Sequence, residues 1–139
     1  MKNCMFLVTL FICALTDIVT YRIRNSVLVV SAVMLLLFEL LISSEGSAAA
    51  DLVSAGTVLV ILFPFYLMGL IAAGDVKLLA LSAMYLGTTA LCSIVPGAIA
   101  ASIVLAFIIS VSRHEPIIKT RYPFAFALFL GAYPLWFQA

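Results

Sequence analysis

Apolar residues fill this chain in six long runs, which are separated by short polar or glycine-containing breaks. Runs this continuous predict helices that lie in lipid or pack against one another, because a surface helix of a soluble protein has one polar face. The predicted helices are Cys4–Thr20, Ser26–Ile42, Leu52–Ile71, Asp75–Leu86, Thr89–Ser112 and Pro123–Gln138. The predicted breaks are Arg22–Asn25, Ser43–Asp51, Ala72–Gly74, Gly87–Thr88 and Arg113–Arg121.

The fourth predicted helix is short for a membrane span. Its 12 residues rise only ~18 Å, whereas the hydrocarbon core of a bilayer is ~30 Å thick. Either the turn after this helix dips into the membrane, or the turn lies further along the chain, near Ser93–Gly97. We place the turn at Gly87.

The composition indicates an integral membrane protein. Of the 139 residues, 66% are hydrophobic and only 9% are charged, and the mean hydropathy is +1.32. A soluble domain has about 25% charged residues. The length fits a single membrane-embedded domain over residues 1–139. A net charge of +1 without a basic stripe gives no reason to expect nucleic acid as a partner, so membrane lipid is the expected surrounding.

Basic residues orient the predicted bundle, because loops on the cytosolic side of a membrane carry an excess of lysine and arginine. With six spans, Lys2 and the acidic loop Ser43–Asp51 fall on one side. The other basic residues all fall on the opposite side: Arg22, Arg24, Lys77, Arg113, Lys119 and Arg121. The sequence therefore predicts an all-α integral membrane bundle of about six transmembrane helices with both termini outside.

Two aspartates lie near the predicted cytosolic surface. Asp17 stands five residues before Arg22, and Asp75 opens the fourth helix. A carboxylate at the centre of a transmembrane helix costs ~2.5–3.5 kcal/mol to insert, so such residues usually have a function. If the two meet, repulsion and desolvation make them share one proton. The ionised partner can then take a proton from an attacking water while the other protonates the peptide carbonyl, as in an aspartic peptidase that needs no metal or cofactor.

Other reactive side chains fit no catalytic or metal site. Cys4, Cys13 and Cys92 are scattered in apolar runs, and with one histidine they offer too few ligands for zinc. We interpret them as buried small hydrophobic residues. His114 is interpreted as a solvated loop residue, and no serine lies in a nucleophile turn.

Simpler interpretations of the polar residues stay open at this point. Asp17 and Asp75 fit interfacial acids that are each neutralised by a following basic residue. Lys77 follows Asp75 by two positions, about 200° round a helix, and is interpreted as an anchor that extends to the membrane surface. Asn25 fits a cap of the second helix or a tie to the Asp17 region. Glu39 is expected to reach the outer surface or to pair there.

The two acids and their neighbours resemble the type IV prepilin peptidases, which are GxGD-type aspartic peptidases of bacterial cytoplasmic membranes. The resemblance covers essentially the whole chain and is specific in combining Gly74-Asp75-Val76-Lys77 with the upstream Asp17. The matching segments are Asp17 with Arg22-Ile23-Arg24-Asn25, then Ala73-Gly74-Asp75-Val76-Lys77-Leu78-Leu79, and Arg121-Tyr122-Pro123-Phe124-Ala125-Phe126-Ala127 with Gly131. It implies Asp17 and Asp75 as catalytic residues, with Ala72, Gly74, Lys77 and Asn25 at motif positions where substrate approaches.

Two positions depart from the family pattern. Ala72 replaces the first glycine of GxGD, and Arg24 replaces a proline. Alanine allows close backbone approach but lacks the access of glycine to positive φ, so activity depends on the conformation at position 72. Arg24 loosens an interfacial turn without removing a catalytic group.

The resemblance implies an endopeptidase that cleaves the leader of a prepilin or pseudopilin after a glycine, at the cytosolic face of the bacterial inner membrane. Only one predicted span precedes Asp17, and the paired cysteines of longer members are absent. The peptidase-only type of tight-adherence (Flp) pilus systems, without N-methyltransferase activity, is therefore expected. The alternatives are a catalytically inactive homologue, which Ala72 makes conceivable, and a small ion-coupled membrane protein in which Asp75 binds a cation.

Overall fold

The computed structural model describes residues 2–20, 23–42, 47–113 and 123–132. Within these ranges the chain forms five helices and no strand, so the prediction of an all-α fold is confirmed for this part of the chain. The helices are α1 (Lys2–Thr20), α2 (Asn25–Ile42), α3 (Ser47–Leu67), α4 (Ala73–Arg113) and α5 (Phe124–Gly131).

Three of these helices are long and apolar enough to cross a membrane. The candidate spans are Lys2–Val19, Ala48–Leu67 and Ala73–Ser112, and α2 contributes a shorter apolar segment, Asn25–Leu41. Many large apolar side chains are exposed on these helices, and α3 is exposed along nearly its whole length. So much exposed apolar surface fits a lipid surrounding rather than water. The count of six spans and the side of the termini stay predictions.

Two helix boundaries differ from the sequence prediction. Residues Ser47–Asp51 were predicted to belong to a loop but begin α3, because the three alanines at positions 48–50 favour helix. The turn between α3 and α4 spans residues 68–72 rather than Ala72–Gly74. Gly69 occupies a left-handed conformation in this turn, with φ 72°, which only glycine adopts without a steric penalty.

Gly87 divides α4 into two helical segments. Its backbone angles are φ 77° and ψ 164°, a combination that is essentially restricted to glycine. The prediction placed the turn between the fourth and fifth helices at this residue. Those two predicted helices therefore correspond to the two segments of α4.

Contacts made by residues before Gly87 show how far along α1 the first segment of α4 extends. Tyr85 packs against Phe6, with ring centroids 5.7 Å apart. Phe6 lies near the beginning of α1, ~16 Å of helix rise from Asp17. The first segment therefore runs from the Asp17 end of α1 toward its beginning.

Contacts after Gly87 lie closer to Asp17. Gly97 is in backbone contact with Gly131, which follows Ala125 by only ~9 Å of helix rise. Ala125 is hydrogen-bonded to Asp17. Along the axis of α1, Gly97 therefore lies nearer to Asp17 than the residues just before Gly87 do. We infer that α4 turns back at Gly87.

Polar contacts mark the two ends of the bundle. Where α1 begins, the ammonium of Lys2 lies 2.5 Å from the buried Glu39 and 3.1 Å from Asp51. The Glu39 pair is held by charge, without a well-directed hydrogen bond, and it agrees with the expectation that Glu39 pairs near the outer loop. At the opposite end, Lys77 donates a hydrogen bond of 3.2 Å to the amide oxygen of Asn25. Lys2 and Lys77 thus lie at opposite ends of the bundle.

Candidate active site

Asp17 lies one turn before the end of α1 and is only 5% exposed. Its Oδ2 atom accepts a hydrogen bond of 2.8 Å from the backbone N–H of Ala125. Pro123 is the N-cap of α5, so Ala125 is the second residue of that helix. The first N–H groups of a helix have no partner within it, and here a buried carboxyl group takes one of them.

Asp75 lies in the first turn of α4 and is half-buried. The turn begins at Ala72, whose carbonyl accepts the N–H groups of Asp75 and Val76 at 3.0 and 3.2 Å. The Asp75 carboxyl lies close enough to Asp17 for the two to interact electrostatically. Helices α1 and α4 therefore bring the two acids that were singled out in the sequence to one end of the bundle.

Gly74, directly before Asp75, does not adopt a left-handed backbone conformation. A Cβ atom added at Gly74 would lie 3.6 Å from the Cβ of Ile23, which is an ordinary van der Waals contact. The positive φ of this turn belongs to Gly69. Ala72 acts through its carbonyl, as the residue that precedes the first helical turn, and its side chain is exposed.

Lys77 and Asn25 contact each other rather than the carboxyl pair. Both side chains are exposed, and their hydrogen bond ties the beginning of α2 to α4. Asn25 was interpreted as a cap of α2, but the carbonyl of Arg24 accepts the first helical N–H groups, from Val27 and Leu28. Asn25 is itself helical and contributes a link between helices.

A buried hydroxyl network lies deeper in the bundle and was not found in the sequence. The hydroxyl groups of Thr9 and Ser31 lie 2.8 Å apart, and the Tyr85 hydroxyl lies 2.8 Å from that of Ser31. Tyr85 also donates a bond of 3.0 Å to the Ser31 carbonyl. Single serines, threonines and tyrosines in apolar runs gave no signal that they would meet.

A groove in the described part of the chain does not coincide with the carboxyl pair. It has a volume of about 630 Å³, lies between α1 and α2, and is lined mostly by apolar side chains with the hydroxyl network at one wall. Neither Asp17 nor Asp75 lines it. The candidate site is therefore identified by the two carboxyl groups and not by cavity size.

The cysteines are only partly as expected. Cys13 is buried, but Cys4 and Cys92 are exposed on apolar helices, so the expectation of burial was wrong for these two. Within the described ranges no three histidine, cysteine or acidic side chains come together to hold a metal ion.

Several residues discussed in the sequence lie outside the part of the chain that the structure describes. They include Arg22, His114, Lys119, Arg121 and residues 133–138 of the sixth predicted helix. Arg113 ends α4, and its side chain is likewise outside the description.

Comparison with known protein families identifies a match over most of the chain. The sequence profile of the type IV leader peptidase family matches residues 4–111, a range that contains both Asp17 and Asp75. No curated protein and no solved structure matches the chain.

Proposed function

We propose, because this chain belongs to the type IV leader peptidase family, that it cleaves the leader peptides of prepilins or pseudopilins with Asp17 and Asp75 as its catalytic pair. Membership of the family makes it a protease, of the aspartic type found in that family. The observation that supports the assignment of residues is that the carboxyl groups of Asp17 on α1 and Asp75 on α4 lie within electrostatic reach of each other at one end of an apolar bundle.

The geometry supports catalysis by a shared proton. Two carboxyl groups within electrostatic reach, one of them 5% exposed, disfavour simultaneous ionisation. One aspartate then activates water and the other protonates the peptide carbonyl. Both steps use only side chains of this chain, so the proposed reaction is hydrolysis by general acid and base.

The location of the pair supports a surface-accessible site rather than one at mid-membrane. Asp17 lies in the last turns of α1 and Asp75 in the first turn of α4, so both lie at helix ends. We infer that this end faces the cytosol, that the chain crosses the bacterial inner membrane six times, and that the substrate is cut after a glycine. The break in α4 at Gly87, where we infer that the helix turns back, supports this count.

A cleavage assay tests the proposed function. Purified protein in liposomes is incubated with a prepilin encoded near its own gene, and the product is analysed by mass spectrometry. We expect loss of the leader after a glycine and an unmethylated amino terminus, even when S-adenosylmethionine is present. Intact prepilin after incubation with folded protein would favour the inactive homologue. Proton or cation flux without cleavage would favour the ion-coupled protein.

The orientation of the bundle gives a separate prediction. A topology reporter inserted between residues 43 and 46 should be external, and one inserted between residues 114 and 120 should be cytosolic. The reason is that Lys2 lies at one end with Glu39 and Asp51, while Lys77 lies at the other with the carboxyl pair. Alkaline phosphatase and green fluorescent protein fusions distinguish the two sides. An external signal from the second position would contradict the proposal that the carboxyl pair faces the cytosol.

Ala72→Gly is expected to keep or raise cleavage activity. Ala72 precedes the first turn of α4, where glycine is preferred over alanine, and its side chain is exposed. The variant should fold as stably as the parent or better by a few tenths of a kcal/mol. Initial rates of prepilin cleavage measure the effect. A large loss of rate in a folded Ala72→Gly protein would show that the alanine methyl group is itself required.

A further inference from the structure

We propose that the first turn of α5 belongs to the active site: the backbone N–H of Ala125 positions Asp17 and stabilises it as the ionised member of the pair, which makes Asp75 the protonated member. This inference rests on the proposed function and assigns the two roles that the shared-proton mechanism leaves open.

The contact between Ala125 and Asp17 is direct and buried. The donor–acceptor distance is 2.8 Å, Asp17 is 5% exposed and Ala125 is fully buried. The donated N–H is one that the helix itself cannot use. A backbone N–H at the beginning of a helix favours a negative charge, through the hydrogen bond and through the helix dipole. Burial disfavours a negative charge on Asp17, and this hydrogen bond opposes that effect by stabilising the carboxylate form.

Asp75 has no equivalent donor in the described ranges. Within these ranges its backbone N–H donates to the carbonyl of Ala72, and its carboxyl group interacts with the charge of Asp17. A half-buried carboxyl group beside a carboxylate is more stable when protonated, because the neutral form avoids repulsion and can donate a hydrogen bond. The two acids of the pair are thus chemically unequal.

The position of α5 is set by a backbone contact at its other end. A Cβ atom added at Gly131 would lie 2.5 Å from the backbone nitrogen of Ala98 and 2.8 Å from its Cα atom. The helix can approach α4 this closely only because residue 131 is glycine. Gly131 is therefore a positioning residue, which acts on Asp17 through the placement of Ala125.

The assigned roles give a balanced reaction. An O–H bond of water breaks, its proton moves to Asp17, and the water oxygen bonds to the peptide carbon while Asp75 gives its proton to the carbonyl oxygen. In the second step the C–N bond breaks and Asp17 passes its proton to the amine nitrogen. Asp75 takes a proton back from a hydroxyl group as the new carboxyl group forms. Both aspartates end in their starting states.

Replacement of Ala125 by lactic acid, through nonsense suppression, tests the donor. The change turns one amide into an ester and removes the N–H without adding an atom near Asp17. We expect kcat for prepilin cleavage to fall by roughly tenfold to a hundredfold, the size of a lost hydrogen bond to a charged group. KM should not change, because this N–H faces Asp17 and not the substrate.

The matched control places the same ester at Ala127. That N–H donates to the carbonyl of Pro123 within α5, at 3.2 Å, and Ala127 is equally buried. A purely structural effect would make the control as impaired as the Ala125 ester, and this result would overturn the inference. An unchanged or higher kcat for the Ala125 ester would also overturn it. If the unmodified protein does not cleave, the proposed function fails and the inference fails with it.

Infrared difference spectroscopy tests the assignment without the ester. At neutral pH the C=O band of a protonated carboxyl group should disappear in Asp75→Asn, because Asp17 keeps the hydrogen bond from Ala125 that stabilises its carboxylate form. Any contribution from Glu39 is common to the proteins that are subtracted and cancels. A band that persists in Asp75→Asn would show that Asp17 is the protonated member and would overturn the inference.

Discussion

Asp17→Asn and Asp75→Asn are each expected to abolish prepilin cleavage, with a loss of at least about 10²–10⁴-fold, the range for a catalytic acid or base. Asparagine has the size of aspartate and can accept hydrogen bonds, but it cannot take a proton from water or share one. In the Asp17→Asn variant, the amide oxygen at position 17 can still accept the hydrogen bond from the N–H of Ala125. Membrane insertion and thermal stability should therefore stay near those of the parent, as measured in detergent and in liposomes.

Glu39→Gln is the matched control for these variants. Glu39 is also a buried carboxyl group on an apolar helix, but it lies at the opposite end of the bundle, paired with Lys2. Its loss should lower stability, because Lys2 loses one of two acidic partners, and should leave cleavage in the folded protein near normal. Equal loss of cleavage in Glu39→Gln would mean that the aspartate variants act through the fold.

Gly131→Ala is expected to impair both stability and cleavage. The added methyl group would lie 2.5 Å from the Ala98 nitrogen, so α5 must move by about 1 Å to reach normal contact. Overpacking of this kind costs typically ~1–3 kcal/mol, and a displacement of ~1 Å at a catalytic group can lower the rate by about 10²-fold. Thermal unfolding and cleavage rates at a temperature where the variant is folded measure the two effects.

Gly97→Ala provides the comparison for Gly131→Ala at the same helix contact. A Cβ atom at Gly97 would lie 3.4 Å from the Cα of Gly131, which is an ordinary contact. This variant should fold and cleave nearly as the parent does. An equal loss of stability and cleavage in both variants would show that the contact tolerates no added atom from either helix. Gly131 would then have no specific role in positioning α5.

The features of the fold that could be predicted are those with a local cause. Apolar runs gave the helices because each run has to be buried or surrounded by lipid. Gly87 gave the break within α4, because only glycine adopts its conformation readily. Asp17 and Asp75 could be singled out as a candidate pair, because acids in apolar runs are rare and their neighbours match a known motif.

Features that depend on distant contacts could not be predicted. Ala125 carries no reactive side chain, and its role comes from a backbone N–H that meets an acid 108 residues away. The link between Lys77 and Asn25, 52 residues apart, likewise depends on how α2 and α4 pack. Asn25 was assigned by local capping rules, and the tertiary contact gave it a different partner.

The most direct test of the central claim compares Asp17→Asn, Asp75→Asn and the double variant in one reconstituted cleavage assay. If the two carboxyl groups act as one unit on one step, the double variant should cleave no more slowly than either single variant, as for residues whose effects are not additive. Near-full cleavage by either single variant would contradict the account, and so would a double variant whose loss is the product of two partial losses.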